Sequence, residues 1–155
     1  MFGEDTDHVT NFYEMTITIS IILFLVFLFL SAIHVYWSLG GKWSSDAVIP
    51  IKENSKKVFT PGAFSTFIVA LGLLSFGLFI LVKAALLKFQ IPLWLNQSGL
   101  WIIAGIFFLR AIGEFKYVGF FKKIKHTQFG RNDTKYYSPL CLIISILIVI
   151  IEVNK

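Results

Sequence analysis

The sequence predicts an all-α polytopic membrane protein, a four-helix transmembrane bundle that occupies residues 1–155 as a single domain. Hydrophobic residues make up 56% of the chain and charged residues only 15%, whereas about 25% of the residues of an ordinary soluble domain are charged. Mean hydropathy is +0.75. The apolar residues form four continuous runs, which excludes the alternating pattern of a transmembrane barrel. One cysteine excludes a secreted module built on disulfides.

Four apolar runs are long enough to be transmembrane helices, because about 20 apolar residues cross the hydrocarbon core of a membrane. They occupy about residues 16–39, 62–87, 92–115 and 136–153. The first run follows an acidic segment that has no Lys or Arg, and it is longer than the apolar part of a signal peptide. We therefore expect the first run to be retained as a span.

The start of the fourth span has two interpretations. In one, Ser138 caps the helix and Pro139 occupies its first turn, which leaves a short span. In the other, Asp133 or Thr134 caps a longer helix, and Pro139 produces a kink inside it. The residue pattern does not decide between these two starts.

Positive charges predict the orientation of the chain. The loops at residues 40–61 and 116–135 hold ten Lys and Arg residues, whereas the N-terminal tail, the short loop after the second span and the C-terminal tail hold at most three. Because Lys and Arg accumulate in cytoplasmic loops, we expect both long loops to face the cytoplasm and both termini to lie outside.

Ionisable residues within the spans predict a polar site near their cytoplasmic ends, because such residues are costly in lipid and are commonly functional. Arg110 and Glu114 lie four residues apart, so one helix face brings them together as an ion pair. That pair is also open to a purely structural interpretation, in which the two charges only neutralise each other. The predicted pocket contains His34, Trp37, Arg110, Glu114, Tyr137 and Ser138.

Cofactor and metal motifs are absent from the sequence. It has no glycine-rich phosphate loop, no HExxH motif and no CxxC motif, so we expect no cofactor and no metal. The loop at 116–135 alternates basic residues with Phe, Tyr and Ile, as in segments that lie on an anionic leaflet. We therefore expect membrane lipids, with anionic headgroups, as partners rather than nucleic acid. A homo-oligomer or a protein partner is also compatible with the sequence.

Several short motifs resemble those of a small family of bacterial membrane proteins with four spans and no known function. The resemblance implies a four-span fold in the bacterial cytoplasmic membrane, and it implies no activity. It covers nearly the whole chain beyond the acidic tail. The motifs are His34-Val35-Tyr36-Trp37 with Gly40-Gly41, Phe59-Thr60-Pro61-Gly62, the stretch from Arg110 through Gly113-Glu114-Phe115 to Phe121, and Asp133-Thr134 leading to Tyr137-Ser138-Pro139-Leu140-Cys141.

Three classes of function fit these observations. The first is a module that binds or transports a lipid headgroup or small amphiphile in a cytoplasm-facing pocket, where Arg110 holds a phosphate or carboxylate. The second is an intramembrane enzyme that modifies a lipid or isoprenoid, with His34 and Glu114 as general acid and base. No catalytic signature supports it, so enzymatic activity and catalytic residues stay open. The third is a non-catalytic accessory or immunity-type protein, in which the charged pair fixes helix register.

Overall fold

The computed structural model describes residues 4–41 and 62–154, with side chains from residue 10 onward. These two ranges contain helices and no strand, which confirms the all-α prediction. They also contain four helical stretches that are long and apolar enough to cross a membrane. The protein is therefore a multi-pass membrane protein with a four-helix bundle, as predicted. Nearly all of the predicted loop at 40–61, including Thr60-Pro61, lies outside the described residues.

The helices alternate in direction, so each end of the bundle collects parts of all four spans. We call one end the Arg110 end, where α1 and α3 finish and α2 and the fourth span begin. The opposite end is the Lys83 end. The elements are α1 (Glu4–Ser38), α2 (Ala63–Lys83), α3 (Leu93–Ile112), α4 (Gln128–Asn132), a π-helical turn (Asp133–Tyr137) and α5 (Ser138–Val153).

The predicted spans coincide with these helices, but several helix ends differ from the ends of the apolar runs. Helix α1 begins twelve residues before the predicted span, because a helix continues in water without an apolar sequence. Helix α2 ends at Lys83, and Ala85 then takes a left-handed conformation with φ 58°. The hydropathy of a segment indicates which residues contact lipid. The end of a helix is instead set by the backbone turn that follows it.

The fourth span begins earlier than either predicted start. Thr127 is the N-cap, and its side chain accepts a 3.0 Å hydrogen bond from the backbone N–H of Gly130. The helix runs from there through the π-helical turn into α5. None of the predicted caps, Asp133, Thr134 or Ser138, therefore caps the span, because all three lie inside a continuous helical stretch.

The four spans form two antiparallel pairs, α1 with α2 and α3 with α5. One buried serine bridges each pair: Ser31 Oγ donates to the carbonyl of Ala70 at 2.8 Å, and Ser145 Oγ donates to the carbonyl of Ala104 at 2.9 Å. Hydrogen bonds between helices are one of the forces that hold spans together in lipid, where burial of apolar surface contributes little.

Aromatic side chains join the two pairs at the centre of the bundle. Phe27 of α1 is fully buried, and its ring packs edge-on against Phe107 of α3 at 5.3 Å and against Phe76 of α2 at 6.2 Å. Leu and Ile residues from all four spans complete this core. Its buried members are Leu23, Phe27, Leu73, Ile80, Leu100, Ile103, Ala104, Phe107, Ile144, Ile148 and Ile151.

Candidate functional site

The chain turns back on itself directly after α3. Gly113 ends the helix with φ 83°, and Gly119 takes φ 89°. A Cβ atom on Gly113 would lie 1.8 Å from the carbonyl oxygen of Val118, and one on Gly119 would lie 2.1 Å from that of Ile112. Both positions require glycine, because L side chains avoid this conformation and have no space here. The backbone of the loop therefore lies against the end of α3.

This contact places the loop beside the fully buried carboxylate of Asp133. Oδ1 accepts a 2.9 Å hydrogen bond from Arg110 Nη2. Oδ2 accepts hydrogen bonds from the backbone N–H of Gly119 at 2.7 Å, from Lys122 Nζ at 2.9 Å and from Ser138 Oγ at 3.1 Å. We call these five residues the Asp133 network. A buried carboxylate is tolerated when opposite charges and hydrogen bonds replace its hydration, as they do here.

Lys122 is as buried as Asp133, with no exposed side-chain surface. Its ammonium group donates to three oxygens: the carbonyl of Gly119 at 2.9 Å, the carboxylate of Asp133 at 2.9 Å and the hydroxyl of Thr134 at 2.6 Å. These three acceptors match the three protons of the group. Lys122 therefore holds the loop on the fourth span and has no proton left for a ligand.

The π-helical turn brings the two polar residues of the fourth span together. The backbone N–H of Ser138 bonds to the carbonyl of Asp133, five residues earlier. This wider spacing aligns the two side chains, so that the Ser138 hydroxyl reaches the Asp133 carboxylate. Pro139 has no N–H to contribute to a regular helix, and it directly follows the turn. Turns of this kind often occur at functional sites.

Arg110 is the member of the network that reaches the surface. Its side chain is 36% exposed, and only Nη2 bonds to Asp133. The other terminal nitrogen, Nη1, is buried and has no hydrogen-bond partner among the residues that the structure describes. Arg110 and Lys122 supply two positive charges against the single negative charge of Asp133, so this trio carries a net charge of about +1.

Glu114 does not form the predicted ion pair with Arg110. Helix α3 ends at Ile112, so the two residues no longer share a helix face. The exposed carboxylate of Glu114 instead accepts a 3.1 Å hydrogen bond from the backbone N–H of Tyr117 in its own loop. The partner of Arg110 is Asp133, which is 23 residues away along the chain.

The other predicted site residues lie at the same end of the bundle but outside the Asp133 network. His34 Nδ1 lies 2.7 Å from the carbonyl oxygen of Leu30, and the ring of His34 packs edge-on against Trp37 at 5.2 Å. The described hydrogen bond and ring contact of His34 are therefore both within α1. The ring of Tyr137 packs against Phe129 at 6.3 Å, beside Ser138. Arg110 and Ser138 are thus the predicted residues that the structure brings together.

Sequence reasoning missed Lys122 and gave Asp133 only a capping role. Lys122 resembles its exposed neighbours Lys123 and Lys125, and nothing local distinguishes it. Asp133 did offer a signal, because it is the only acidic residue between Glu114 and Glu152 and it directly precedes an apolar run. A lone carboxylate at the boundary of a span needs a cationic partner.

Comparison with known families gives one match. Residues 27–148 match the model of a family described as a protein of unknown function (DUF3995). The matched range contains every member of the Asp133 network. Comparisons with curated proteins and with solved structures gave no match.

Proposed function

The chain belongs to this family of unknown function, DUF3995, and from that premise we propose that it binds the anionic headgroup of a membrane lipid at Arg110. One observation carries the proposal: the buried Nη1 of Arg110 has no hydrogen-bond partner among the described residues. Buried donors nearly always have a partner, which a bound ligand can supply. The planar guanidinium matches a phosphate or carboxylate group, to which it donates two hydrogen bonds.

The charge balance of the Asp133 network supports an anion rather than a neutral ligand. Lys122 and Asp133 neutralise each other in a fully buried pair, so the charge of Arg110 is the surplus. A second negative charge near Arg110 completes the balance. Because the side chain of Arg110 as a whole is 36% exposed, a ligand approaches this residue from the surface, although Nη1 itself is buried.

The surface around the network is suited to the membrane interface. Basic residues on this surface attract anionic headgroups, and exposed aromatic rings favour the boundary between lipid and water. Two rings in the loop, Phe115 and Phe121, pack together at 6.4 Å and are both exposed. The exposed basic residues are Lys116, Lys123, Lys125, Arg131 and Lys135.

The test compares lipid retention by two conservative variants. Arg110→Lys keeps the positive charge beside Asp133 but removes the second donor nitrogen. Arg131→Lys makes the same substitution at an exposed arginine of the same end and serves as the matched control. The protein is purified in mild detergent with phosphatidylglycerol, and bound lipid is measured by native mass spectrometry. We expect Arg110→Lys to weaken retention about tenfold, which corresponds to one charge-assisted hydrogen bond.

Equal retention of phosphatidylglycerol by wild type and Arg110→Lys would reject the proposal. A retention that Arg131→Lys lowers equally would indicate a diffuse surface charge instead of a site. If Arg110 holds the headgroup, Arg110→Lys lowers retention and Arg131→Lys does not. Among the described residues, only Arg110 has a buried nitrogen without a hydrogen-bond partner.

A second candidate function is the non-catalytic accessory role. It is favoured by the saturated hydrogen bonds of Lys122, which are typical of a group that fixes structure. In that case Arg110→Lys lowers the melting temperature and leaves lipid retention unchanged. No observation favours the enzyme, since the described contacts of His34 and Glu114 are each local to their own segments.

A further inference from the structure

The hydrogen bonds of the Asp133 network determine how many of its cations a ligand meets. Lys122 has no proton left for a ligand, since its three protons already have acceptors. The backbone N–H of Gly119 and the hydroxyl of Ser138 both donate to Oδ2 of Asp133. Among the members of the network, Arg110 keeps a buried donor without a partner, at Nη1. A ligand of this site therefore meets one cation rather than two.

The charge that the network leaves for a ligand is also single. Arg110 and Lys122 are positive and Asp133 is negative, so one negative charge on the ligand brings the site to neutrality. A second negative charge would stay uncompensated. It would also lie near the carboxylate of Asp133, which accepts its hydrogen bond from Nη2 of the same guanidinium. Like charges repel strongly where water is scarce.

Phosphate headgroups differ in the number of charges that they carry. A phosphodiester has one negative charge and two free oxygens, which match the two terminal nitrogens of a guanidinium. A phosphate monoester carries about 1.5 to 2 negative charges at pH 7, because its second proton dissociates at about pH 6. The charge balance of the Asp133 network therefore favours the diester.

The exposed lysines of the loop do not make the same distinction. Lys116, Lys123 and Lys125 are exposed, and each attracts any anionic lipid at the membrane surface. Salt screens such exposed charges, whereas it screens a partly buried charge much less. High salt therefore suppresses the contribution of the loop and leaves that of Arg110.

The opposite end of the bundle offers no such surplus of positive charge. Lys83 Nζ donates to the backbone carbonyl of Asn96 and, at 3.1 Å, to its side-chain oxygen. It also lies 3.7 Å from the carboxylate of Glu152. Lys83 lines a cavity of about 580 Å³, where α1 passes the ends of α2 and α5. Because Glu152 already balances the charge of Lys83, this cavity does not attract an anion as Arg110 does.

We propose that the Arg110 site selects lipids whose headgroup carries a single negative charge, as in a phosphodiester, over lipids with a doubly charged phosphate monoester. This inference rests on the proposed binding of an anionic headgroup at Arg110, and it adds the charge that the site accepts. Selection follows from the number of charges in the Asp133 network rather than from the size of the headgroup.

The test uses three lipids that have the same two acyl chains and differ in charge. Diacylglycerol has no charge, phosphatidylmethanol has one, and phosphatidic acid has close to two at about pH 8. The full chain is purified in mild detergent at high salt with equal amounts of the three, and bound lipid is measured by native mass spectrometry. We expect the wild type to retain phosphatidylmethanol about tenfold more than phosphatidic acid, and diacylglycerol least.

Two variants assign this preference to Arg110. Arg110→Gln removes the surplus charge of the network, so retention of phosphatidylmethanol should fall about tenfold and its advantage over phosphatidic acid should disappear. Arg131→Gln removes the same charge from an exposed position of the same end and is the matched control. It should leave the preference unchanged. If Arg110→Gln fails to fold, the order of the three lipids on the wild type still decides the outcome.

The inference is wrong if the wild type retains phosphatidic acid at least as strongly as phosphatidylmethanol. It is also wrong if Arg131→Gln removes the preference as fully as Arg110→Gln does. A loss of both anionic lipids in Arg110→Gln alone would, in the first case, still support the headgroup site. Unchanged retention of phosphatidylglycerol in Arg110→Lys would instead reject that site, and the inference with it. The two failures are therefore distinguishable.

Discussion

Asp133 shows how one side chain connects distant parts of this protein. Its carboxylate accepts hydrogen bonds from α3 through Arg110, from the following loop through Gly119 and Lys122, and from α5 through Ser138. A buried carboxylate without such partners would cost several kcal/mol. The partners also depend on the carboxylate, since Lys122 is itself fully buried.

Replacement of this carboxylate is therefore expected to destabilise the protein strongly. Asp133→Asn leaves the buried ammonium of Lys122 without its counterion. The loss of one partner of a buried ion pair typically costs about 3–5 kcal/mol. We expect a marked fall in the melting temperature of the purified protein, measured by the loss of helical circular dichroism or by a thermal-shift assay in detergent.

Glu114→Gln is the matched control for this substitution. It removes an exposed carboxylate of the same end, whose hydrogen bond within the described part of the chain comes from the nearby backbone N–H of Tyr117. A change of less than about 0.5 kcal/mol is expected there. Similar melting temperatures for Asp133→Asn and Glu114→Gln would show that the Asp133 network contributes little to stability.

At the scale of elements, the loop after α3 behaves as a folded unit rather than a flexible connection. The backbone N–H of Phe120 bonds to the carbonyl of Ala111 at 2.9 Å, so the loop pairs with the last turn of the helix. The close contact between Gly113 and Gly119 makes this pairing possible. The loop then places Lys122 beneath the surface, where it meets the fourth span.

This contact predicts that alanine is not tolerated at Gly119. The new Cβ would lie 2.1 Å from the carbonyl oxygen of Ile112, and the residue has φ 89°. Relief of the clash requires the loop to move, which also removes the hydrogen bond from Gly119 to Asp133. We expect a lower melting temperature, together with faster proteolysis of the loop.

Gly105→Ala is the matched control, and we do not expect it to lower the melting temperature. Gly105 lies within α3, and a Cβ there meets no atom within 4 Å. Alanine favours a helix by about 1 kcal/mol relative to glycine, so stability should stay equal or rise. If Gly119→Ala melts as high as Gly105→Ala, the described contact between loop and helix does not hold in the protein.

At the scale of the whole molecule, the two ends of the bundle have different chemistry. The Arg110 end contains a buried network with surplus positive charge and an exposed basic loop. The Lys83 end contains a cavity and an ion pair without net charge. This asymmetry accompanies the uneven distribution of Lys and Arg between the loops.

The same asymmetry predicts the orientation in the membrane. From the positive-inside rule, we expect the Arg110 end to face the cytoplasm and both termini to lie outside. In a Cys141→Ser background, cysteine is introduced at exposed Lys88 or at exposed Lys125. We expect a membrane-impermeant maleimide to label Lys88→Cys in intact cells, and to label Lys125→Cys only after permeabilisation. The reverse labelling pattern would require the opposite orientation.

Part of the candidate site followed from the sequence. The cost of charge in lipid drew attention to Arg110, and the structure places Arg110 and Ser138, both predicted for the site, on the same carboxylate. The predicted partner of Arg110, Glu114, was wrong. The prediction extended α3 beyond Gly113 and so placed Glu114 on the same helix face as Arg110. His34 was predicted in the same pocket from its depth, but its described contacts are with Leu30 and Trp37 of its own helix.

The sequence by itself determined the number of spans, their approximate positions and the asymmetry of charge. These properties depend on the hydropathy of each segment, which needs no knowledge of its neighbours. Only the tertiary structure decided which charges meet, because Arg110, Lys122 and Asp133 lie in three segments that a tight glycine contact and a π-helical turn bring together. The cavity at the Lys83 end likewise exists only once α1 passes the ends of α2 and α5. Local composition sets where a chain enters lipid, but long-range backbone geometry sets which polar groups share a site.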